Sequence, residues 1–272
     1  MKNIFAAISI LVILLSGCIA KKQLGSVVQL ETSQGKIVVK LYPETVKHKE
    51  NFLKLVNAGF YNGVMFHRVI ANFMIQTGDP DSKKAKPGVM LGMGDVGYTV
   101  PAEFKYPQYY HKRGSLSAAR QGDENNPKKA SSGCQFYIVQ GKILSDTELD
   151  LIEKNKAQKI FATRLEENLN LKQREMKLLT KSKNKEAIDS VRNIAIKEVQ
   201  QQMKKDSSYK FTKQQRRDYT TLGGTPHLDG DYTVFGEVLE GIDVLAQLSK
   251  LKTDRYARPI VDVRVLKAVV LK

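Results

Sequence analysis

Residues 142–223 contain no proline, and no glycine before Gly223, in a chain that both residues otherwise punctuate often. A segment free of helix breakers and dense in Lys, Glu, Gln and Leu favours helix. Ser145 with Glu148 makes a capping-box pattern that opens the first helix. Leu149, Ile152, Ile160, Leu165 and Leu169 give it a partial apolar stripe as far as about Leu179. The polar patch Lys181-Ser182-Lys183-Asn184-Lys185 reads as a turn. Ile188, Val191, Ala195, Val199 and Met203, spaced by threes and fours, mark a second helix. Thr212 with Gln215 caps a third, which Gly223-Gly224 ends. Short connections make neighbouring helices antiparallel, so the segment is expected to be an α-helical hairpin.

On either side the texture is different. Val27-Val28-Gln29-Leu30-Glu31 and Lys36-Ile37-Val38-Val39-Lys40-Leu41 flank Ser33-Gln34-Gly35 as a β-hairpin. Residues 43–59 carry Val46, Phe52, Leu53 and Val56 near a helical period and stop at Gly59. Short strands follow at 64–69, 73–76, 115–119, 135–140, 232–238 and 260–271, with a short helix at 242–248. Many short strands and two helices predict a mainly-β fold: a closed antiparallel β-barrel of eight strands, since closure removes exposed sheet edges. The barrel is expected to comprise 27–141 and 224–272, with 142–223 inserted into it.

The N-terminus predicts the compartment. Lys2 precedes an apolar run over 5–15, broken only by Ser9, and then Ser16, Gly17 and Cys18. A basic start, a short apolar run and a small-residue exit read as a secretory signal over 1–17, too short to span a membrane. Leu15-Ser16-Gly17-Cys18 resembles a bacterial lipoprotein box, which implies acylation of Cys18 and a membrane anchor, with 18–26 as a linker. A plain secretory signal with an incidental cysteine is the alternative. The implied location is the bacterial cell envelope, facing the periplasm. Lys plus Arg number 44 against 28 Asp plus Glu, a formal charge of +16. Such a balance attracts nucleic acid or anionic surfaces, but export argues against nucleic acid. Residues 142–223 also interleave few aromatics with their cations: Phe161, Tyr209, Phe211 and Tyr219. Their charge reads first as a solvated face, with a protein partner as the alternative. Cys18 and Cys134 are far apart and the four histidines are scattered, so no disulfide framework and no metal site is expected.

The most informative stretch is Tyr61-Asn62-Gly63-Val64-Met65-Phe66-His67-Arg68-Val69-Ile70-Ala71-Asn72-Phe73-Met74-Ile75-Gln76-Thr77. It resembles the signature of cyclophilin-type peptidyl-prolyl isomerases, with every fixed position filled. Gly114-Ser115-Leu116-Ser117-Ala118-Ala119-Arg120 is similar to that family's groove-lining strand. Gly133-Cys134-Gln135-Phe136-Tyr137-Ile138 is similar to its Ser-Gln-Phe-Phe-Ile strand, and His227-Leu228-Asp229-Gly230 to its Trp-Leu-Asp-Gly loop. The resemblance implies a cyclophilin-like barrel capped by two α-helices and an enzyme that isomerises X–Pro bonds of polypeptides without a cofactor.

The residues make chemical sense for that reaction. An X–Pro bond isomerises slowly because its partial double bond imposes a barrier of roughly 18–20 kcal/mol. Lowering it requires a site that binds the twisted amide better than either planar form. A fixed guanidinium can donate to the imide nitrogen or the preceding carbonyl, and Arg is charged at any working pH. Arg68 is the expected catalytic donor. Gln76 and Gln135 are expected to orient the substrate backbone. By resemblance the proline slot is walled by Phe73, Met74, Tyr137 and Leu228, with Ala119 and Arg120 along the groove and Tyr232 beside it. Consecutive strand residues face opposite ways, so Met74 is alternatively core, and Phe136 is expected to face the core. Gln135 alternatively organises loops, and His67 reads as structural.

Three positions depart from the familiar eukaryotic pattern: His227 stands for an aromatic, commonly Trp, Tyr137 for Phe, and Tyr232 for His. The Tyr137 hydroxyl needs a partner if buried. The leading reading is a lipid-anchored isomerase assisting the folding of exported proteins. The alternative is a prolyl-peptide binding or chaperone module with little turnover.

Overall fold

The structure is a computed structural model that describes residues 26–181 and 184–271. The signal at 1–17, Cys18 and the linker up to residue 25 lie outside the described residues. Ten strands are present: β1 (Val27–Thr32), β2 (Gly35–Leu41), β3 (Arg68–Ile70), β4 (Met74–Thr77), β5 (Thr99–Val100), β6 (Ser115–Ala118), β7 (Ser131–Ser132), β8 (Phe136–Val139), β9 (Val234–Glu240) and β10 (Val265–Leu271). Eight of them form one curled antiparallel sheet in the order β10-β1-β2-β9-β6-β8-β4-β3, and β5 pairs only with β7. Helices α1 (Val46–Asn57) and α6 (Ile242–Leu248) pack on the sheet. Alternation along the strands turns Val28, Leu30, Ile37, Val39, Ile75, Leu116, Phe136 and Ile138 into one core. Phe52 of α1 reaches into that core, its ring centroid 5.1 Å from that of Phe136, 5.2 Å from Tyr61 and 5.6 Å from Phe235.

The barrel expected from the sequence does not close. β10 and β3 are the two edges of an open sheet. Among the described residues the seam between their neighbourhoods carries a single isolated bridge, Met65 to Arg264. Its two hydrogen bonds run from Phe66 N to Val263 O and from Val265 N to Val64 O, both at 2.9 Å, and a further one joins Gly63 N to Val265 O at 2.7 Å. On its outer side Met65 is held by side chains. Its N–H donates to Ser82 Oγ at 3.0 Å, and its carbonyl accepts from Thr77 Oγ1 at 2.8 Å. In such an antiparallel pair the backbone groups of Met65 itself face away from the partner segment, so these side chains satisfy groups that the seam does not use. Of the strand expected at 64–69, only β3 and the isolated bridge at Met65 are present.

The inserted segment contains four helices: α2 (Asp146–Leu171), α3 (Gln173–Lys181), α4 (Lys185–Lys205) and α5 (Lys213–Thr221). Both capping boxes form, Ser145 with Glu148 and Thr212 with Gln215. The single helix expected to about Leu179 breaks at Lys172, whose backbone leaves helical geometry. There Asn168 and Lys172 both bond Glu198 of α4, at 2.8 and 3.0 Å. Val191, Ala195 and Val199, four apart on α4, form its buried stripe.

The insertion is tied to the sheet at its base. Leu144, Leu149, Phe211 and Tyr219 form a separate apolar cluster, joined by Tyr110 and Ile152. Arg216 of α5 clips α2 through Asp146, Asp150 and Glu153. At the seam the backbones nearly touch. A Cβ on Gly224 would lie 2.4 Å from the His111 carbonyl oxygen and 2.5 Å from the Tyr219 ring. Neither neighbour is the free end of a flexible chain. Gly224→Ala is therefore expected to lower the unfolding free energy by about 1–3 kcal/mol, measured by urea titration. An unchanged midpoint and slope would show that the seam yields.

Candidate active site

Strand register assembles the site. Arg68 on β3 pairs with Gln76 on β4, Gln76 with Tyr137 on β8, and Tyr137 with Ser117 on β6. Paired residues share a face, so these side chains form a row across four strands on the side opposite the core. One step along, Met74 pairs with Val139 on that same face. Phe136 and Ile138, on the other face of β8, belong to the main core.

Over this row lies a cavity of about 140 Å³ lined by Arg68, Phe73, Met74, Gln76, Ala119, Arg120, Tyr137, Leu228 and Tyr232. Its apolar wall is a cluster distinct from the core, with Met74, Tyr137, Val139 and Leu228 buried and Phe73, Ala119 and Tyr232 packed against them. Phe73 and Met74 line it together despite being consecutive. Phe73 sits in the turn before β4, so strand alternation does not apply to it. Gln135 lies just outside, in an adjoining cavity of about 520 Å³ that also reaches Gln76, Ala119 and Arg120. That second cavity is built largely by a glycine-rich loop carrying Gly92, Met93, Gly94 and Tyr98.

The polar groups form one chain. Arg68 Nη1 donates to Gln76 Oε1 at 3.2 Å, and Gln76 Nε2 donates to Gln135 Oε1 at 2.9 Å. Gln135 Nε2 then donates to the carbonyls of Gly92 and Gly94, at 3.0 and 2.7 Å. Both amide hydrogens of Gln135 thus bond the loop. Gln76 likewise spends both ends of its amide within the chain and holds the guanidinium. Burial lowers the Arg68 pKa from its ordinary value, but a guanidinium remains charged. Arg120 is fixed as well, donating through Nε to the Asp231 carbonyl at 2.9 Å and through Nη1 to Asp123 at 2.7 Å. Its guanidinium lies 4.3 Å from the Tyr232 ring centroid. The arrangement is a small apolar slot with two immobilised guanidinium groups, Arg68 and Arg120, in its lining.

The family model for cyclophilin type peptidyl-prolyl cis-trans isomerase/CLD matches residues 27–161 and 154–270. The chain belongs to the cyclophilins. A putative peptidyl-prolyl cis-trans isomerase of Staphylococcus saprophyticus is 26% identical over 239 residues, 87% of each chain. Peptidyl-prolyl cis-trans isomerase B of Bacillus subtilis is 40% identical over 105 residues, 38% of this chain and 64% of that one. A cyclophilin-type isomerase of Cryptosporidium parvum shares the fold with a TM-score of 0.52 at 20% identity, covering 91% of this chain and 98% of its own. Peptidyl-prolyl cis–trans isomerisation is the activity these relationships assign.

Behind the slot, this cyclophilin carries a buried relay that sequence reasoning did not name. The Tyr137 hydroxyl lies 3.1 Å from His111 Nε2, and His111 Nδ1 lies 3.0 Å from Asp229 Oδ1. Asp229 Oδ1 also accepts from His111 N at 2.9 Å, and its Oδ2 accepts from Tyr219 of α5 at 2.6 Å. The network is satisfied when Nδ1 donates to Asp229 and Nε2 accepts the Tyr137 proton. Burial pushes the Tyr137 and Tyr219 phenols well above their ordinary pKa, so both stay protonated donors. The only signal in the sequence was the extra hydroxyl at Tyr137 and its need for a partner.

His227 stacks on Phe73 with ring centroids 5.6 Å apart and planes at 28°. Burial, then the neighbouring His111, lower its pKa, which favours the neutral ring. His67 does not line the slot. It is 3% exposed, and burial pulls its pKa down to about 4. It is neutral near pH 7 and packs beside the loop at Gly92. Tyr219→Phe leaves Asp229 Oδ2 buried without its phenol donor. The expected loss of unfolding free energy is about 1–3 kcal/mol by chemical denaturation, and a loss below about 0.3 kcal/mol would remove Tyr219 from the relay's support.

Proposed function

We propose that Arg68 catalyses prolyl isomerisation by stabilising the twisted amide, in a cyclophilin that acts on exported polypeptides at the cell envelope. The observation that carries the mechanism is the Arg68 guanidinium at the edge of the apolar slot, tethered to Gln76 at 3.2 Å. Proline enters a slot walled by Phe73, Met74, Tyr137 and Leu228, which excludes water from the ring. Rotation about the imide bond breaks conjugation, and the nitrogen gains a lone pair that a planar amide lacks. A donor held in place beforehand interacts with that lone pair more strongly than with either planar ground state. No bond to the protein forms and no proton need be transferred. The chain from Arg68 through Gln76 and Gln135 to the Gly92 and Gly94 carbonyls limits the reorganisation the donor would otherwise undergo.

The location rests on the segment at the N-terminus: a signal at 1–17 and acylation of Cys18, which together would hold the enzyme on a membrane and facing the periplasm. Two or more acyl chains give stable attachment, whereas one holds only marginally. Substrates are then X–Pro segments of proteins folding after export.

A second reading, holding of prolyl peptides without turnover, is supported by the insertion standing beside the slot. The isomerisation rate of a short Ala-Pro peptide separates the two. Arg68→Ala is expected to lower kcat/KM by about 10²–10³ while leaving the fold intact by circular dichroism. Equal rates near background for both proteins would favour the binding module. For the anchor, cells fed labelled palmitate should tag the wild-type chain and not Cys18→Ser, and label retained by the variant would overturn acylation at that position.

A further inference from the structure

A cleft of about 660 Å³, larger than the proline slot, separates α2 from the loop that carries His227, Asp229 and Asp231. One wall is the cyclophilin sheet's own loop, and the other is the insertion. Cleft and slot meet at one stacked pair, because His227 lines the cleft and lies on the ring of Phe73, which lines the slot. A polypeptide whose proline rests on Phe73 can therefore continue past His227 into the cleft.

The charges inside the cleft are unequally matched. Lys129 is paired with Asp231, and Arg164 with Asp206. Lys159 is largely exposed and stands 3.9 Å from Asp231. Of the cleft's two remaining acids, Glu167 is exposed and Asp229 is buried. Lys156 is half-buried and, among the described residues, makes no ion pair. The carboxylates that act on it from farther off are already engaged: Asp229 by His111 and Tyr219, Asp231 by Lys129, and Glu153 by Phe211 N and Arg216. Its ammonium sits 5.2 Å from the Tyr106 ring centroid and 4.8 Å from that of Phe211. Two rings thus hold a half-buried cation that has no direct ion pair among the described residues and draws only on carboxylates engaged elsewhere. An incoming carboxylate would give it a direct partner.

We propose that this cleft is an extended substrate subsite in which Lys156 binds the carboxylate of an acidic residue lying a few positions from the isomerising proline, on the same polypeptide. The inference rests on the isomerase reading of the neighbouring slot. It assigns the insertion a role in selecting sequences around the proline, separate from recognition of the proline itself.

The test uses the full chain in detergent micelles and exchange kinetics of decapeptides with one Ala-Pro bond. Glu is walked through successive positions on both sides of the proline, each peptide paired with its Gln counterpart. For the wild type, the Glu-to-Gln ratio of kcat/KM is expected to reach about 10 at one or two positions and to shrink at high salt. Within Lys156→Gln that ratio should fall to about 1, and Lys156→Arg should restore most of it. Ratios near 1 at every position in the wild type, or a preference that survives Lys156→Gln, would overturn the subsite. A blocked Ala-Ala-Pro-Phe tetrapeptide, too short to fill the cleft, monitors the isomerase reading separately. If the tetrapeptide is not turned over, the ratio of dissociation constants for the same Glu and Gln peptides decides the subsite on its own.

Discussion

The antiparallel register of β3, β4 and β8 is the constraint from which the site follows. Pairing Arg68 with Gln76 and Gln76 with Tyr137 puts a cation, an amide and an aromatic wall in one row. The intervening residues Val69, Ile75, Phe136 and Ile138 face the other way and build the core. The same hydrogen bonds therefore secure the core and align the polar row. A slip of one residue in β4 would exchange the two sets, burying Gln76 among apolar side chains and exposing Ile75. The apolar pattern on the core face thus protects the register on which the polar row depends.

The polar row illustrates a second requirement. A long guanidinium side chain has many rotamers, and donation to a transient lone pair is useful only if the donor is already aimed. Here the aim comes from a sequence of amide groups ending on the carbonyls of Gly92 and Gly94. Gln135 does not need to touch substrate to matter. Its two amide hydrogens fasten the glycine-rich loop to β8, and its carbonyl fastens Gln76. The loop that shapes the second cavity and the residue that positions Arg68 are thereby one mechanical unit.

Much of this was legible in the sequence, for identifiable reasons. The hairpin of β1 and β2, the helices α1 and α6, and the capping boxes of α2 and α5 follow from local periodicity and local side-chain bonds. The slot residues were legible through resemblance, since each lies in a block that keeps the family's spacing. Closure of the barrel was not legible, because it turns on how residues 63–66 meet residues 263–265, two segments far apart in the chain. The break at Lys172 was hidden for a similar reason: the bonds there reach across to Glu198 of α4. Phe73 lies in a turn rather than a strand because β4 begins at Met74, one residue later than the expected strand at 73–76. His111, Asp229 and Tyr219 come from three separated segments, and only folding shows that one carboxylate serves both the loop before β6 and a helix of the insertion.

That shared carboxylate explains how a large insertion can be accommodated beside a small active site without loosening it. A helical segment entering between β8 and β9 could in principle pull the loop at His227 with every motion. Three kinds of contact oppose this: the apolar cluster around Tyr219, the Arg216 clip to α2, and the close approach of Gly224 to His111. Asp229 then links the Tyr219 phenol to His111, and His111 meets the hydroxyl of Tyr137 on the slot wall. Because each of these polar groups is buried, displacing α5 would strand at least one of them without a partner. The cost of that displacement fixes α5 relative to the slot, and the Arg216 clip extends the constraint to α2. The cleft between α2 and the His227 loop therefore has a defined shape rather than one set by a freely swinging arm.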